Sequence, residues 1–254
     1  MTLEEHLDKL KRDPASSAIA GDRAFENKYM QGALFRWKHT LKAIPVSAEP
    51  LRVLDIGATP FTIIVKREFP HYRIFTVDLT ELLKERCDDE GIELRTCNLD
   101  AGKLPFDSGA FDVVIFTQVL EHVFFPPTEL LREVRRVLGV SGKLLLSVPN
   151  IAGLSNRLRL LFGRTVLQDA DGQFQVNSNA QMHGHGHLHE YTRHEIASIC
   201  RSAGFTVVNT KMVAPSPSDI RRYAAGWSAA RFAYYSILAF APNFRPIIEI
   251  ACQK

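Results

Sequence analysis

The chain has 254 residues, 46% of them apolar and 23% charged, with a formal net charge of +3. That balance belongs to a packed globular protein and excludes disordered and fibrous chains. Lys and Arg lie scattered among Asp and Glu, which excludes the basic face of a dedicated nucleic-acid binder.

The length fits one α/β domain with insertions, so 1–254 is read as a single domain with a core of its own. Its amino-terminal stretch MTLEEHLDKLKRDP is charged and lacks the apolar run of a secretory signal, which places the expected location in the cytoplasm. Residues 1–48 are read as a helical cap. Asp22 opens a helix to Ile44 that sets Phe25, Tyr29, Ala33, Trp37, Leu41 and Ile44 at helical spacing, across the mouth of the domain. The first strand is LRVLDI, 51–56, and the second YRIFTVD, 72–78; a short third strand lies near Ile92 to Thr96. FDVVIF, 111–116, is an unbroken apolar run of the kind buried on both faces of a sheet.

A helix from Pro127 to Leu138 follows, with Leu130, Leu131, Val134, Val137 and Leu138 in one stripe, and GKLLLSVP, 142–149, is the fifth strand. Residues 150–190 show no clear period and are rich in polar, Gly and His residues. A loop that long in a compact domain is usually functional, so it is read as the acceptor-binding insertion. The helix Arg193–Ala203, the strand FTVVNT, a helical stretch 217–240 and a last strand PIIEIAC bring the strands to seven. This alternation predicts an α/β, Rossmann-like, mostly parallel sheet with helices on both faces and its last strand antiparallel. Tyr223 to Ala241 is apolar enough to suggest a membrane, but Arg231 at mid-span argues against insertion. A buried or partner-facing helix is the first reading and peripheral contact with a membrane surface the second. Cys87, Cys97, Cys200 and Cys252 form no C-x-x-C pair and read as reduced thiols.

Open α/β sheets bind ligands at the carboxyl ends of their strands, and the chemistry-bearing residues fall there. In LDIGATP, Gly57 permits a sharp turn close to a ligand. Thr59 can cap the next helix with Pro60 in its first position, and that helix start can face a carboxylate. Asp78 ends the second strand about twenty residues later, where an acid can accept hydrogen bonds from both ribose hydroxyls; a solvated or capping Asp would look the same. Asp100 in LDAGKLPF can accept an adenine amino group or serve as a turn acid. Residues 57–62 read G-A-T-P-F-T, not the G-x-G-x-x-G that a nicotinamide dinucleotide requires.

VLDIGATP, VDLT, LDAGKLPFDSGAFDVV, FTQVLEHV and LLREVRRVLGVSGKLLLSVPN resemble the successive motifs of class I S-adenosylmethionine (SAM)-dependent methyltransferases, from about Leu51 to Phe205. The resemblance implies SAM as cofactor, held by Asp55, Gly57, Ala58, Asp78, Leu79, Asp100, Ala101, Thr117 and Gln118. More narrowly, LLLSVPNIAGLSNRLRLLFG followed by HEYTRHEIASICRSAGF is similar to methyltransferases encoded with polysaccharide and glycan biosynthesis enzymes, which implies O-methylation of a sugar hydroxyl. A small aromatic or lipid-like acceptor, or a non-catalytic SAM-binding regulator, is the alternative. Two positions depart from the family: Ala58 and Pro60 stand where many relatives have glycines, and Gln118 where relatives often have Glu.

The resemblance makes His122, beside Glu121 just past the fourth strand, the leading general base. Imidazole titrates near neutrality and can take a hydroxyl proton as the methyl moves; bracing the next helix is the structural alternative. The alternating His183, His185, His187 and His189 could join Glu121 and His122 around a divalent cation, Mg²⁺ or Mn²⁺, with Glu121, His122 and His189 as its candidate ligands. A plain Gly-rich polar loop has the same composition. The expected partner is a small-molecule or glycan acceptor and no nucleic acid; a homodimer is left open.

Overall fold

The computed structural model describes residues 23–167, 174–176, 182–184, 186–215 and 229–254. In chain order the strands are β1 (Arg52–Ile56), β2 (Arg73–Asp78), β3 (Glu93–Thr96), β4 (Phe111–Thr117), β5 (Leu138–Pro149), β6 (Phe174–Val176), β7 (Met182–Gly184), β8 (Thr206–Val213) and β9 (Ile247–Gln253). Seven of them form one sheet in the order β3-β2-β1-β4-β5-β9-β8, and β6 pairs with β7 as a separate antiparallel hairpin. Only β9 runs against its sheet neighbours, β5 and β8. The expected mostly parallel sheet with an antiparallel last strand is therefore the one observed.

The core follows from strand pleat. Successive side chains point to opposite faces, so Val53, Val113 and Ile115 pack on one side while Leu54, Val114 and Phe116 pack on the other. The first face is covered by α1 (Arg23–Ala43), α2 (Pro60–Glu68) and α3 (Lys84–Asp89), through Ala33, Leu34, Trp37, Phe61, Ile64 and Cys87. The second is covered by α4 (Pro127–Val137) and α6 (Arg193–Ser202), through Leu130, Leu131, Val134, Ile196 and Cys200. In the expected stripes, Ala33, Trp37 and Ile44 of the first helix and Leu130, Leu131, Val134, Val137 and Leu138 of the fourth are buried and Leu41 is half-buried; the side chains of Phe25 and Tyr29 lie outside the described residues.

Several boundaries differ from the sequence reading. Leu138 is already extended and pairs with Phe111, so α4 ends one residue earlier and β5 starts four residues sooner than expected. The 150–190 segment contains a helix, α5 (Leu154–Leu161), and the β6–β7 hairpin. The helical stretch expected over 217–240 is seen as α7 (Ala229–Phe240), and 216–228 lie outside the described residues. Among the described residues, no helix is long and apolar enough to cross a membrane.

Candidate active site

The strand order reverses between β1 and β4, which makes their carboxyl ends the crevice where such sheets bind ligands. Gly57 leaves β1 with φ +91°, and its NH donates to the Val77 carbonyl at 2.9 Å. A Cβ at this position would stand 2.7 Å from Val119 Cγ2, so only glycine fits. Thr59 caps α2 as expected. Its Oγ1 accepts from the Phe61 NH at 3.2 Å, and its own NH donates to Thr62 Oγ1 at 3.1 Å. The Thr62 hydroxyl in turn donates to Asp55 Oδ2 at 2.7 Å. Burial pushes the Asp55 carboxyl up to about 7, against the Thr62 hydrogen bond and with help from the charge of Asp78.

Asp78 is fixed at the end of β2. Its Oδ2 accepts from the Ala58 NH at 3.0 Å, and its Oδ1 accepts from the NH and hydroxyl of Thr80 at 2.9 and 3.1 Å. One carboxylate thus ties the β1 turn to the β2 turn, with Leu79 exposed beside it. Asp100 is tied sideways: its Oδ1 accepts from the Phe124 and Phe125 NH groups at 2.7 and 3.3 Å, joining the Leu99–Ala101 turn to the segment after β4.

At the end of β4, Gln118 takes φ +57°, and its NH donates to the Ser147 carbonyl at 2.9 Å. Its side-chain Oε1 accepts from Arg36 Nη1 at 2.8 Å, which bolts α1 across the mouth of the domain. The amide also points its Nε2 at Ser147 Oγ, 3.4 Å away, so Gln118 bridges Arg36 and the end of β5. Thr117 lines a cavity of about 260 Å³ under α1, together with His39, Ser147 and Glu249.

The turn Leu120–His122 carries a polar cluster. Glu121 is 1% exposed, and neither carboxylate oxygen has a hydrogen-bond partner among the described residues. Burial pushes it up to about 7, while the positive charges of His187 and Arg36 pull the other way. His122 Nδ1 lies 3.0 Å from the Gly186 carbonyl. A carbonyl only accepts, so the proton belongs on Nδ1, and Nε2 is the basic nitrogen of the neutral ring. The His187 ring meets it edge-on, with centroids 4.9 Å apart. His187 Nδ1 is 2.8 Å from Glu190 Oε1, and that carboxylate raises the imidazole above its ordinary range. Asn156 of α5 donates to Glu190 Oε2 at 2.9 Å, so α5 supports the cluster.

One carboxylate oxygen of Glu121 and one ring nitrogen each of His122 and His187 lie within 4.8 Å of one another, a set able to hold a cation. The expected third ligand, His189, is elsewhere: its Nε2 is 2.7 Å from Glu195 Oε1, the residue that closes the capping box of α6. His187 takes its place. Two imidazoles with a carboxylate suit a later transition ion better than the expected Mg²⁺ or Mn²⁺, which favour oxygen ligands. The side chain of His183 and all of His185 lie outside the described residues. Sequence reasoning missed Arg36, and it named His187 among the alternating histidines without singling it out as the one that joins Glu121 and His122.

Residues 27–210 match the model of the methyltransferase domain family. The chain is 32% identical over 133 residues to the ubiquinone/menaquinone biosynthesis C-methyltransferase UbiE of Desulfotalea psychrophila, covering 50% of this chain and 53% of that protein. To the demethylmenaquinone methyltransferase of Thermus thermophilus it is 28% identical over 119 residues, covering 44% and 54%. It thus spans about half the length of the curated relatives it matches. Among solved structures, the Burkholderia thailandensis 1,6-didemethyltoxoflavin-N1-methyltransferase, bound to 1,6-didemethyltoxoflavin and S-adenosylhomocysteine, superposes with a TM-score of 0.54 at 19% identity, over 100% of this chain and 91% of that one. A Mesorhizobium loti S-adenosylmethionine-dependent methyltransferase gives 0.56 at 16% identity, over 85% and 96%. At these identities the likeness is one of fold. The chain belongs to the methyltransferase domain family, in its class I, SAM-dependent form. Its cofactor is SAM, which the glycine turn and the ordered acids at the β1–β4 crevice fit. The curated relatives are enzymes of quinone rather than polysaccharide biosynthesis.

Proposed function

We propose that this chain moves the methyl group of SAM onto a hydroxyl oxygen of a small-molecule acceptor, a sugar hydroxyl of a glycan or glycoconjugate. The observation that carries this reading is the cluster of buried Glu121 with half-buried His122 and His187 just past the end of β4, a proton acceptor beside the cofactor crevice. Gly57 and Asp78 hold the cofactor from the β1 and β2 ends, with Asp55, Ala58, Leu79, Asp100, Ala101, Thr117 and Gln118 around it. When bound, SAM supplies an electrophilic methyl on a sulfonium sulfur.

His122 Nε2 would take the acceptor's hydroxyl proton and become an imidazolium, while the residues at the crevice would hold SAM to supply the methyl group to the acceptor oxygen. The Gly186 carbonyl keeps the ring in the tautomer that can do this, and the Glu121 carboxylate balances the charge that develops. Base assistance of this kind is worth about 10² to 10⁴ in rate, and alignment of the reacting atoms about 7 to 11 kcal/mol. Residues 150–190 form the acceptor side, because Asn156, Gly186, His187 and Glu190 all belong to that insertion.

One observation favours a second reading. A pocket of about 250 Å³ near the start of β9 is walled by Phe35, Tyr234, Tyr235 and Leu238, which suits a flat aromatic acceptor and methylation at carbon, as the name of the Desulfotalea psychrophila relative describes for it. Incubation with ¹³C-methyl SAM and panels of glycans and hydroquinones, read by NMR, separates the two. An O-methyl product whose formation is lost in His122→Ala, with SAM affinity kept, is the expected result. A carbon-bound methyl, or full turnover in His122→Ala, overturns the proposal.

A further inference from the structure

Only the first part of α5 is built into the domain: Leu154 is buried, Asn156 bonds to Glu190, and the Arg157 guanidinium lies over the Phe244 ring at 5.2 Å. Beyond these anchors the helix projects. Leu158, Leu160, Leu161 and Phe162 are 43%, 59%, 75% and 73% exposed, a density of bare large apolar side chains that a soluble surface rarely carries without a use.

The charges beside them have a single sign. Arg157, Arg159 and Arg164 interleave with the apolar residues, and residues 151–167 contain no Asp or Glu. The exposed run is the last turn of a short helix together with its cap, Phe162. A protein partner would have to bring both an apolar groove and an acidic rim to this feature. A fluid interface that accepts apolar side chains below a layer of negative head groups matches both its shape and its charge. Eight helical residues are far too few to span a bilayer, so the contact is with its surface.

We propose that the projecting end of α5, with the turn through Arg164, docks on an anionic lipid bilayer. Leu160, Leu161 and Phe162 enter the interfacial layer, and the arginines pair with lipid phosphates above them. Because Asn156 joins the base of α5 to Glu190 and so to His187, the docked surface lies on the support of the candidate active site. The inference itself does not depend on which acceptor is methylated.

The test is flotation of the full chain with vesicles of phosphatidylcholine alone or mixed with phosphatidylglycerol, at low and high salt. The chain is expected to float with the mixed vesicles and not with phosphatidylcholine, and to detach as salt rises. Loss of each arginine attraction weakens binding about fivefold, so Arg159→Glu/Arg164→Glu should weaken it by about 25-fold or more. Leu161→Asp/Phe162→Asp should abolish it. These side chains are exposed, so both variants should keep wild-type thermal stability and SAM affinity, which separates loss of docking from loss of fold. Absence of wild-type binding to the mixed vesicles, equal binding to phosphatidylcholine, or flotation of both variants like the wild type would overturn the proposal. So would a dimer that Leu161→Asp/Phe162→Asp dissolves without any wild-type vesicle binding, since that assigns the face to a second copy.

Discussion

Gly57→Ala tests how tightly the crevice is drawn. Two costs can be separated at this position. Forcing an L-residue to φ +91° costs about 1–2 kcal/mol. The new methyl would then meet Val119 Cγ2 at 2.7 Å, where an undistorted carbon contact is about 3.5–4.0 Å, and overpacking of that kind adds about 1–3 kcal/mol. Gly91 supplies the control: it has φ +67° with nothing within 4 Å of an added Cβ, so Gly91→Ala should carry the backbone cost alone. Urea denaturation should therefore show Gly57→Ala destabilised by about 2–5 kcal/mol and Gly91→Ala by about 1–2. Val119→Ala added to Gly57→Ala should recover the steric part. Calorimetry should show S-adenosylhomocysteine affinity reduced at least about tenfold in Gly57→Ala, since about 1.4 kcal/mol at the site suffices for that, and unchanged in Gly91→Ala. Equal stabilities for the two alanine variants, with affinity kept in both, would refute the claim that the β1 and β4 ends close on each other here.

The remaining expectations concern pH, the core and the polar cluster. Asp55 and Glu249 are both held up to about 7 by burial, so the folded state keeps protons that the unfolded chain has released. Their contribution is complete below about pH 4 and is lost as pH rises towards about 7; thermal melts of the ligand-free chain should fall across that window, and Asp55→Asn should flatten the fall. Leu131→Ala, at a fully buried position on α4, should cost about 2–5 kcal/mol in denaturant unfolding, and a loss below about 1 would place the residue outside the core. If His122 acts as a base without metal, turnover should withstand a chelator; loss that Mn²⁺ restores, together with loss in His187→Ala, would make the cluster a cation site instead.

What the sequence disclosed was local. Thr59 and Pro60 announce the start of α2 because capping is decided within a few residues, and the apolar run of β4 announces burial on both faces. Gly57 and Asp78 could be placed because each closes a strand. What stayed hidden was decided by distant neighbours. Four alternating histidines look alike in sequence, and only the positions of Gly186, Glu190 and Glu195 turn His187 towards Glu121 and His189 away from it. Arg36 is one charge on a long helix until it meets Gln118, 82 residues later. α3 lacks an apolar stripe, and Leu138 left its helix early because Phe111 offered a strand partner.

The central claim is that SAM binds at the β1–β4 crevice and is held there by the acid that ends β2. Titrating SAM, S-adenosylhomocysteine and NAD into the wild type and into Asp78→Ala, by calorimetry, addresses it most directly. Asp78 also anchors the Ala58 and Thr80 amides, so circular dichroism must first show that the variant is folded. The account expects saturable SAM and S-adenosylhomocysteine binding with none for NAD, and a loss of about 1.5–3 kcal/mol in Asp78→Ala as a charged hydrogen bond to the ligand disappears. Saturable NAD binding without SAM binding, or undiminished SAM affinity in folded Asp78→Ala, would contradict it.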